Sequence, residues 1–266
     1  MEQTDPTQSG QKQPLRQALH SGRPLAGCFL KTPAHQSVEI LGASGLDFVV
    51  FDAEHAPLGL TEIDRMMPAA RAAELRTVVR VPSADPVFVA QCLDLAVDGV
   101  MVPHVRSAKD AENVVRASRF EHGERGLSPS PRAGGYGTSP STQYMLEADR
   151  RTSVWCQIED AEALDHLDSI SAVNGVDCLF IGPADLARSM GIETLSDPRL
   201  VQAVQKIVTH ARRHSVPVGI FVGARESIAP MRRLGIDIIV CGSDQGYLLR
   251  EARAVAAVFT AEGEMS

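Results

Sequence analysis

Carboxylates, a histidine and an arginine stand at the ends of two short apolar runs of this 266-residue chain. Asp52 closes the run Phe-Val-Val-Phe-Asp, and Glu54 and His55 come just after it. A second run, rich in β-branched residues, leads into Arg80. A histidine can exchange protons near neutral pH, and a guanidinium can hold a carboxylate or an enolate oxygen with parallel hydrogen bonds. These residue types suit chemistry in which negative charge develops on an oxygen atom.

Two further carboxylates follow later apolar runs. Alternation along an extended strand sends Gln157 and Glu159 to one side of the segment that they close, and Asp185 ends the turn that begins at Gly182. No cysteine or histidine is positioned beside this carboxylate pair to make a zinc site, so the pair favours a hard cation such as magnesium, manganese or cobalt. The turn from Gly182 to Asp185 can also present backbone N–H groups to an anion at a helix start.

Each of these residues also has an ordinary structural interpretation. Asp52 can be a helix N-cap next to a surface histidine, Arg80 can be a surface charge, and Asp185 can be the N-cap of a β–α turn. On the residues alone these alternatives stay open. The functional interpretation is favoured only if one fold brings the strand ends together.

The elements that would position these side chains follow a regular alternation of apolar runs and amphipathic segments. Eight apolar runs lie at residues 25–30, 48–52, 77–81, 99–103, 153–158, 178–181, 217–222 and 237–241. Helices are predicted at residues 37–43, 61–73, 86–96, 108–119, 198–214, 227–234 and 245–259. Eight buried parallel strands with outer helices predict a (β/α)8 TIM barrel, whose active site lies at the carboxyl ends of the strands.

The pattern predicts a flexible N-terminal arm at residues 1–15 and one barrel domain at residues 16–266. Residues 122–140 are rich in glycine, proline and serine, which is typical of irregular structure rather than of a helix or strand. A connection of this length in a compact domain is expected to be a lid, an interface arm or disordered.

Charge and cysteine usage narrow the classes of partner. The formal net charge is -7 and no run of lysines and arginines occurs, which argues against nucleic acid or an anionic membrane as the main partner. The five cysteines form no C-x-x-C pair, and no apolar segment reaches the length of a membrane span. We therefore expect a cytoplasmic protein that acts on a small molecule.

In order along the chain, the motifs resemble those of the HpcH/HpaI aldolase family over about residues 16–259. They are DAEHAP at residues 52–57, VVRV at 78–81, an Asp-Pro followed by Leu-Asp between 85 and 94, QIE at 157–159 and FIGPADL at 180–186. The resemblance implies a class II aldolase that cleaves or forms the carbon–carbon bond of 4-hydroxy-2-oxo acids, giving pyruvate, through its enolate, and an aldehyde. It also implies a homohexamer, a trimer of dimers, with the C-terminal helix swapped between subunits.

For the pyruvate half of the substrate, the resemblance implies a divalent metal on Glu159 and Asp185. It assigns the keto oxygen and the enolate to Arg80, and a supporting role to Gln157. The backbone amides of Ala184 and Asp185 would receive the pyruvate carboxylate.

For the aldehyde half, the resemblance implies that His55 exchanges the proton of the aldehyde oxygen. Asp52 would be linked to the metal through water, and Asp94 of an adjacent subunit would orient His55. His104 and the loop at residues 128–137 resemble only part of the family, His104 that part which is similar to macrophomate synthase. We expect both to affect which aldehyde is accepted.

Three alternatives are retained. A Schiff-base aldolase needs a barrel lysine, and Lys31, just past the first strand, is the sole candidate. A citrate-synthase-like enzyme of a siderophore pathway would keep the site and form a carbon–carbon bond from a thioester. A barrel that only binds a small acid would not require a base such as His55.

Overall fold

The computed structural model describes residues 13–263 and contains a closed barrel of eight parallel strands. Each strand pairs with its sequence neighbours, and β8 pairs with β1. The strands are β1 Leu25–Leu30, β2 Phe48–Asp52, β3 Arg76–Arg80, β4 Gly99–Val102, β5 Ser153–Ile158, β6 Cys178–Ile181, β7 Val218–Val222 and β8 Ile238–Ser243. The predicted (β/α)8 barrel is therefore confirmed.

Eleven α-helices accompany the strands within the described residues. They are α1 Leu15–Leu19, α2 His35–Ala43, α3 Leu60–Ala72, α4 Pro86–Asp94, α5 Ala108–Ser118, α6 Ser141–Arg151, α7 Leu167–Ser171, α8 Pro183–Ser189, α9 Pro198–Arg213, α10 Ile228–Arg233 and α11 Asp244–Gly263. Within residues 13–263, no helix combines the length and the apolar character that crossing a bilayer requires.

Two apolar layers hold the barrel together. One lies between the strands and the outer helices, and the other fills the barrel interior, where Phe48, Trp155 and Phe180 are fully buried or nearly so. Successive side chains of a strand point to opposite faces, so each strand supplies both layers. This explains why the strands are apolar runs without alternation in their sequence.

Helix α1 closes the amino end of the barrel. Its residues Leu15 and Leu19 belong to the interior layer. Arg16 on this helix donates to the buried Asp177 at 2.7 Å, and Arg119 donates to the same carboxylate at 3.0 Å. The part of the expected flexible arm that is described, residues 13–15, thus leads into an anchored helix, while residues 1–12 lie outside the described residues.

The prediction for residues 122–140 needs correction in part. The segment contains a 3₁₀ turn, Arg132–Gly137, and the unpredicted helix α6 follows it. Arg132 donates to Asp64 of α3 at 2.7 Å, and Arg125 donates to Asp94 of α4 at 2.8 Å. The segment is thus attached to the outer helices by the buried Arg125 and the partly buried Arg132.

Candidate active site

Side chains that point into the barrel are apolar along most of each strand and become polar at its carboxyl end. On β2 the inward row Phe48 and Val50 continues to Asp52, and on β3 it continues from Val78 to Arg80. Asp52 and Arg80 are direct partners in the β2–β3 register. The pleat and the register therefore bring two residues that lie 28 positions apart in sequence to the same point of the barrel mouth.

A buried cluster of charges forms at that point. Arg80 donates from Nε to Asp52 Oδ1 at 3.0 Å and from Nη2 to Oδ2 at 2.8 Å, and Lys31 Nζ lies 3.1 Å from the same Oδ2. Burial alone would raise the pKa of Asp52, but these cations and the His55 amide hold the pKa below its usual range. These contacts favour the anionic form of Asp52, which fixes the guanidinium, and both of its oxygens are engaged.

A second cluster combines Glu54, His104 and Glu159. One ligand atom from each of these residues lies within 4.8 Å of the other two. The His104 amide donates to Glu159 Oε1 at 3.0 Å, and the His104 Nδ1 lies 3.0 Å from Asp160 Oδ2. His104 adopts a left-handed φ of 56°, a strained conformation for a residue with a side chain.

The chemistry of this second cluster fits a divalent cation. Burial and the nearby charge of Glu54 raise the pKa of Glu159, although the His104 amide and ring offset part of that rise. Burial lowers the pKa of His104, but Asp160 and Glu159 outweigh it and the pKa is raised. Among the described residues, Gln157 Oε1 is buried without a hydrogen-bond donor, and buried Glu54 Oε2 accepts no hydrogen bond although Arg80 Nε lies 3.3 Å from it. A bound cation would neutralise these carboxylates.

Gly182 leaves room for this arrangement. A Cβ atom at residue 182 would lie 2.6 Å from Glu159 Oε2 and 2.9 Å from Gln157 Nε2. Gln157 Nε2 in turn donates to Glu159 Oε2. A glycine after β6 is therefore a steric requirement for the orientation of the Glu159 carboxylate.

A cavity of about 360 Å³ opens at the carboxyl ends of the strands. Arg80 and Gln157 line one side, and the first turn of α8, with Ala184 and Asp185, lines another. The first N–H groups of a helix have no acceptor within it, so this turn can receive an anion. Phe29, Phe180 and Phe221 form the apolar wall.

Most of the predicted site residues lie at this mouth, but they divide into two sets. Asp185 lines the cavity and belongs to no three-ligand cation group among the described residues, where Glu54 and His104 accompany Glu159 instead. The expectation that no histidine lies near the pair Glu159 and Asp185 is wrong for Glu159, because His104 lies beside it. His104 lies just past β4 and Glu159 just past β5, and these two strands pair directly in the barrel.

The histidine and the acid predicted to act on the aldehyde are not brought together within one chain. The His55 side chain is 57% exposed and its Nε2 lies 3.8 Å from Glu54. Asp94 ends α4 and pairs with Arg125. Helices of the barrel run back towards the amino ends of the strands, which places the end of α4 away from the mouth.

Two residues of the site were not assigned to it from the sequence. Glu54 was noted beside Asp52 without a role, and Lys31 was considered only as a Schiff-base lysine. Lys31 continues the inward row of Phe29 on β1 by the same two-residue period that places Asp52 and Arg80. This two-residue period could have identified Lys31 as a residue of the barrel mouth from the sequence alone.

Comparisons with known proteins agree with this geometry. The family described as HpcH/HpaI aldolase/citrate lyase matches residues 25–251. A 5-keto-4-deoxy-D-glucarate aldolase from Klebsiella pneumoniae subsp. pneumoniae is 32% identical, covering 92% of this chain and 96% of that protein. An HpcH/HpaI aldolase/citrate lyase family protein from Burkholderia cenocepacia J2315 superposes with a TM-score of 0.88 at 32% identity, over 92% of this chain and 98% of that one.

A second solved structure is that of a citrate synthase, SbnG. It superposes with a TM-score of 0.85 at 29% identity, over 94% of this chain and 99% of that one. The same barrel thus serves proteins named for carbon–carbon cleavage and for carbon–carbon formation.

Proposed function

Because this chain belongs to the HpcH/HpaI aldolase/citrate lyase family, a family of lyases, we propose that it is a divalent-metal-dependent pyruvate aldolase acting on 4-hydroxy-2-oxo acids. The observation that carries the proposal is the fixed Arg80 guanidinium beside the Glu54, His104 and Glu159 cluster at one barrel mouth. Cleavage between C3 and C4 of such an acid leaves a pyruvate enolate and an aldehyde. The Arg80 guanidinium, and a cation bound by the cluster, would each stabilise the enolate oxygen as it becomes negative.

Glu159 would hold the cation, with Glu54 and His104 beside it and Asp185 on the cavity wall. Magnesium, manganese and cobalt are the candidates, because the ligand set is dominated by carboxylates. When bound, a divalent cation supplies Lewis acidity for the keto oxygen and neutralises developing charge.

Arg80 would donate to the keto oxygen and hold the enolate. Asp52 takes Nε and Nη2, which leaves Nη1 without an acceptor among the described residues. The guanidinium is buried and stacks on Phe29, with Cζ 4.4 Å from the ring centroid. A donor that is fixed before the reaction needs no reorganisation as charge develops.

The remaining groups of the site would bind and protonate the substrate. The Ala184 and Asp185 amides at the start of α8 would receive the pyruvate carboxylate, and Gln157 would support Glu159. His55 would exchange the proton of the aldehyde oxygen, because an imidazole titrates near neutral pH.

We further propose that the site is shared between subunits of a hexamer, with the partner subunit's Asp94 orienting His55. The exposed apolar residues of α11, Leu248, Leu249 and Phe259, support a swapped C-terminal helix, because such residues are normally covered. The small-molecule substrate and the absence of a basic run agree with a cytoplasmic enzyme.

The first substrate to test is 5-keto-4-deoxyglucarate, for which the relatives are named. The purified protein with manganese should release pyruvate from it or from another member of a panel of 4-hydroxy-2-oxo acids. Pyruvate release is measured in an assay coupled to lactate dehydrogenase. Excess EDTA and the variant Glu159→Gln should both abolish release. Absence of pyruvate from the whole panel would refute the aldolase proposal.

The second candidate, a citrate-synthase-like enzyme, is favoured by the similarity to SbnG. It is tested in parallel by adding acetyl-CoA and oxaloacetate and measuring release of free CoA thiol. Thiol release without pyruvate release would favour the synthase. A barrel that only binds a small acid is not supported, because the relatives reported above are named as enzymes.

A further inference from the structure

Lys31 presents an ammonium group to the cavity from the end of β1. Its side chain is 28% exposed, and its Nζ lies 3.1 Å from Asp52 Oδ2. An ammonium has three N–H donors, and Asp52 is its only ion-pair partner within residues 13–263. Lys31 therefore retains donors for a ligand in the cavity.

The Lys31 backbone is fixed at the junction of β1 and α11. The amides of Lys31 and Thr32 donate to the two carboxylate oxygens of Asp244 at 2.9 and 3.1 Å. Asp244 is the first residue of α11. These two bonds fix the Lys31 backbone and engage none of the ammonium donors.

The charge distribution of the cavity gives Lys31 a distinct position. Among the described residues that line the cavity, Lys31 and Arg80 are the only cations. Arg80 already has two of its donors on Asp52, and its Nε lies 3.3 Å from Glu54. Lys31 follows β1, which β7 and β8 separate from β6, the strand before α8. Phe29 and Phe221 form the apolar wall of the cavity next to Lys31. An anionic group of a ligand that lies against this wall would pair with Lys31.

We propose that Lys31 binds a carboxylate on the acceptor half of the substrate and thereby makes the enzyme selective for acidic aldehydes. The proposal rests on the aldolase activity proposed above. A substrate with its head carboxylate at the α8 turn and its keto oxygen at Arg80 would share the cavity with Lys31, which is then the cation left for its other end. A charge-assisted hydrogen bond in an apolar cavity discriminates strongly against an analogue that lacks the charge.

The test compares two three-carbon aldehydes that differ in one group. The carboxylate of 2-hydroxy-3-oxopropanoate is a hydroxymethyl group in glyceraldehyde. With pyruvate and manganese in excess, kcat/KM is measured for each aldehyde in the condensation direction. In Lys31→Met the ratio of acidic to neutral aldehyde should fall about tenfold to a hundredfold, and Lys31→Arg should recover most of it.

Lys109→Met is the matched control, because it removes one positive charge from an exposed helix position that is 66% accessible. Its ratio should equal that of the wild type. An unchanged ratio in Lys31→Met would overturn the proposal. If that variant also loses oxaloacetate decarboxylation, the carboxylate that Lys31 binds is on the donor instead. If the wild type condenses neither aldehyde, the proposed aldolase function fails instead.

Discussion

Replacing Arg80 by lysine keeps the positive charge and removes the planar fork of N–H donors that the guanidinium presents. The arginine makes two hydrogen bonds with Asp52 at 3.0 and 2.8 Å and still has Nη1 for a substrate oxygen. A lysine ammonium at the same buried position can stay with Asp52 or reach the substrate, but it cannot do both in the planar geometry of the fork. We therefore expect Arg80→Lys to lose one preorganised donor in the transition state.

Loss of such a donor costs about 10²- to 10³-fold in kcat, or about 2.7–4 kcal/mol. The assay is steady-state pyruvate release at saturating substrate and manganese. The protein should remain folded, because Lys31 and the His55 amide still contact Asp52. Wild-type kcat in Arg80→Lys would refute the proposed role of the fork.

Arg76→Lys provides the matched control on the same strand. Arg76 is also buried, but it lies at the amino end of β3 and donates to the backbone carbonyls of Gln13 and Asp47. Its replacement should lower the free energy of unfolding by about 1 kcal/mol and leave kcat within about twofold. An equal loss of kcat in both variants would mean that the effect is structural.

Three other outcomes are expected. If His55→Ala and Asp94→Asn are each inactive, mixing and reassembling them in equal amounts should restore about a quarter of the sites; a mixed oligomer, verified by mass, that stays inactive would exclude a shared site. His104→Ala should weaken manganese binding about tenfold or more, measured by calorimetry; unchanged affinity with a changed aldehyde preference would assign His104 to the acceptor. Burial raises the pKa of Asp177, but His20, Arg119 and Arg16 outweigh it and the pKa is lowered, so its stabilisation is present at neutral pH and lost as the pH falls below the usual carboxyl range. The difference in unfolding free energy between wild type and Asp177→Asn, about 3 kcal/mol near pH 7, should therefore shrink in acid; an unchanged difference in acid would contradict this.

The barrel was predictable because its strands have a strong sequence signal. Apolar runs in the sequence marked β1, β2, β5 and β6 at the bounds that the structure has. The predicted bounds of β3, β4, β7 and β8 differ from the observed ones by one or two residues at one or both ends. Helices α1, α6, α7 and α8 were missed. Helices α1, α7 and α8 have only five to seven residues, which is too short to show a clear amphipathic period. Helix α6 has eleven residues, but it follows a segment rich in glycine and proline, and Tyr144 is its only buried residue.

The site was predictable where the pleat determines it and not where separate loops meet. Asp52, Arg80 and Gln157 each continue an inward row, which a period of two identifies. The approach of His104 to Glu159 depends on a left-handed φ after β4 and on a contact across 55 positions of sequence. No local pattern encodes such a contact, so the neighbours of Glu159 emerged only from the folded chain.

Exchange of the pyruvate methyl protons in D2O, followed by NMR without any aldehyde, tests the central claim most directly. This reaction isolates enolate formation, for which Glu159 and Arg80 are proposed to be required. Wild-type protein with manganese should replace the methyl protons by deuterium, while excess EDTA and Glu159→Gln should each stop the exchange. Exchange that continues at the wild-type rate in excess EDTA, or no exchange by the manganese-loaded wild type, would contradict the account.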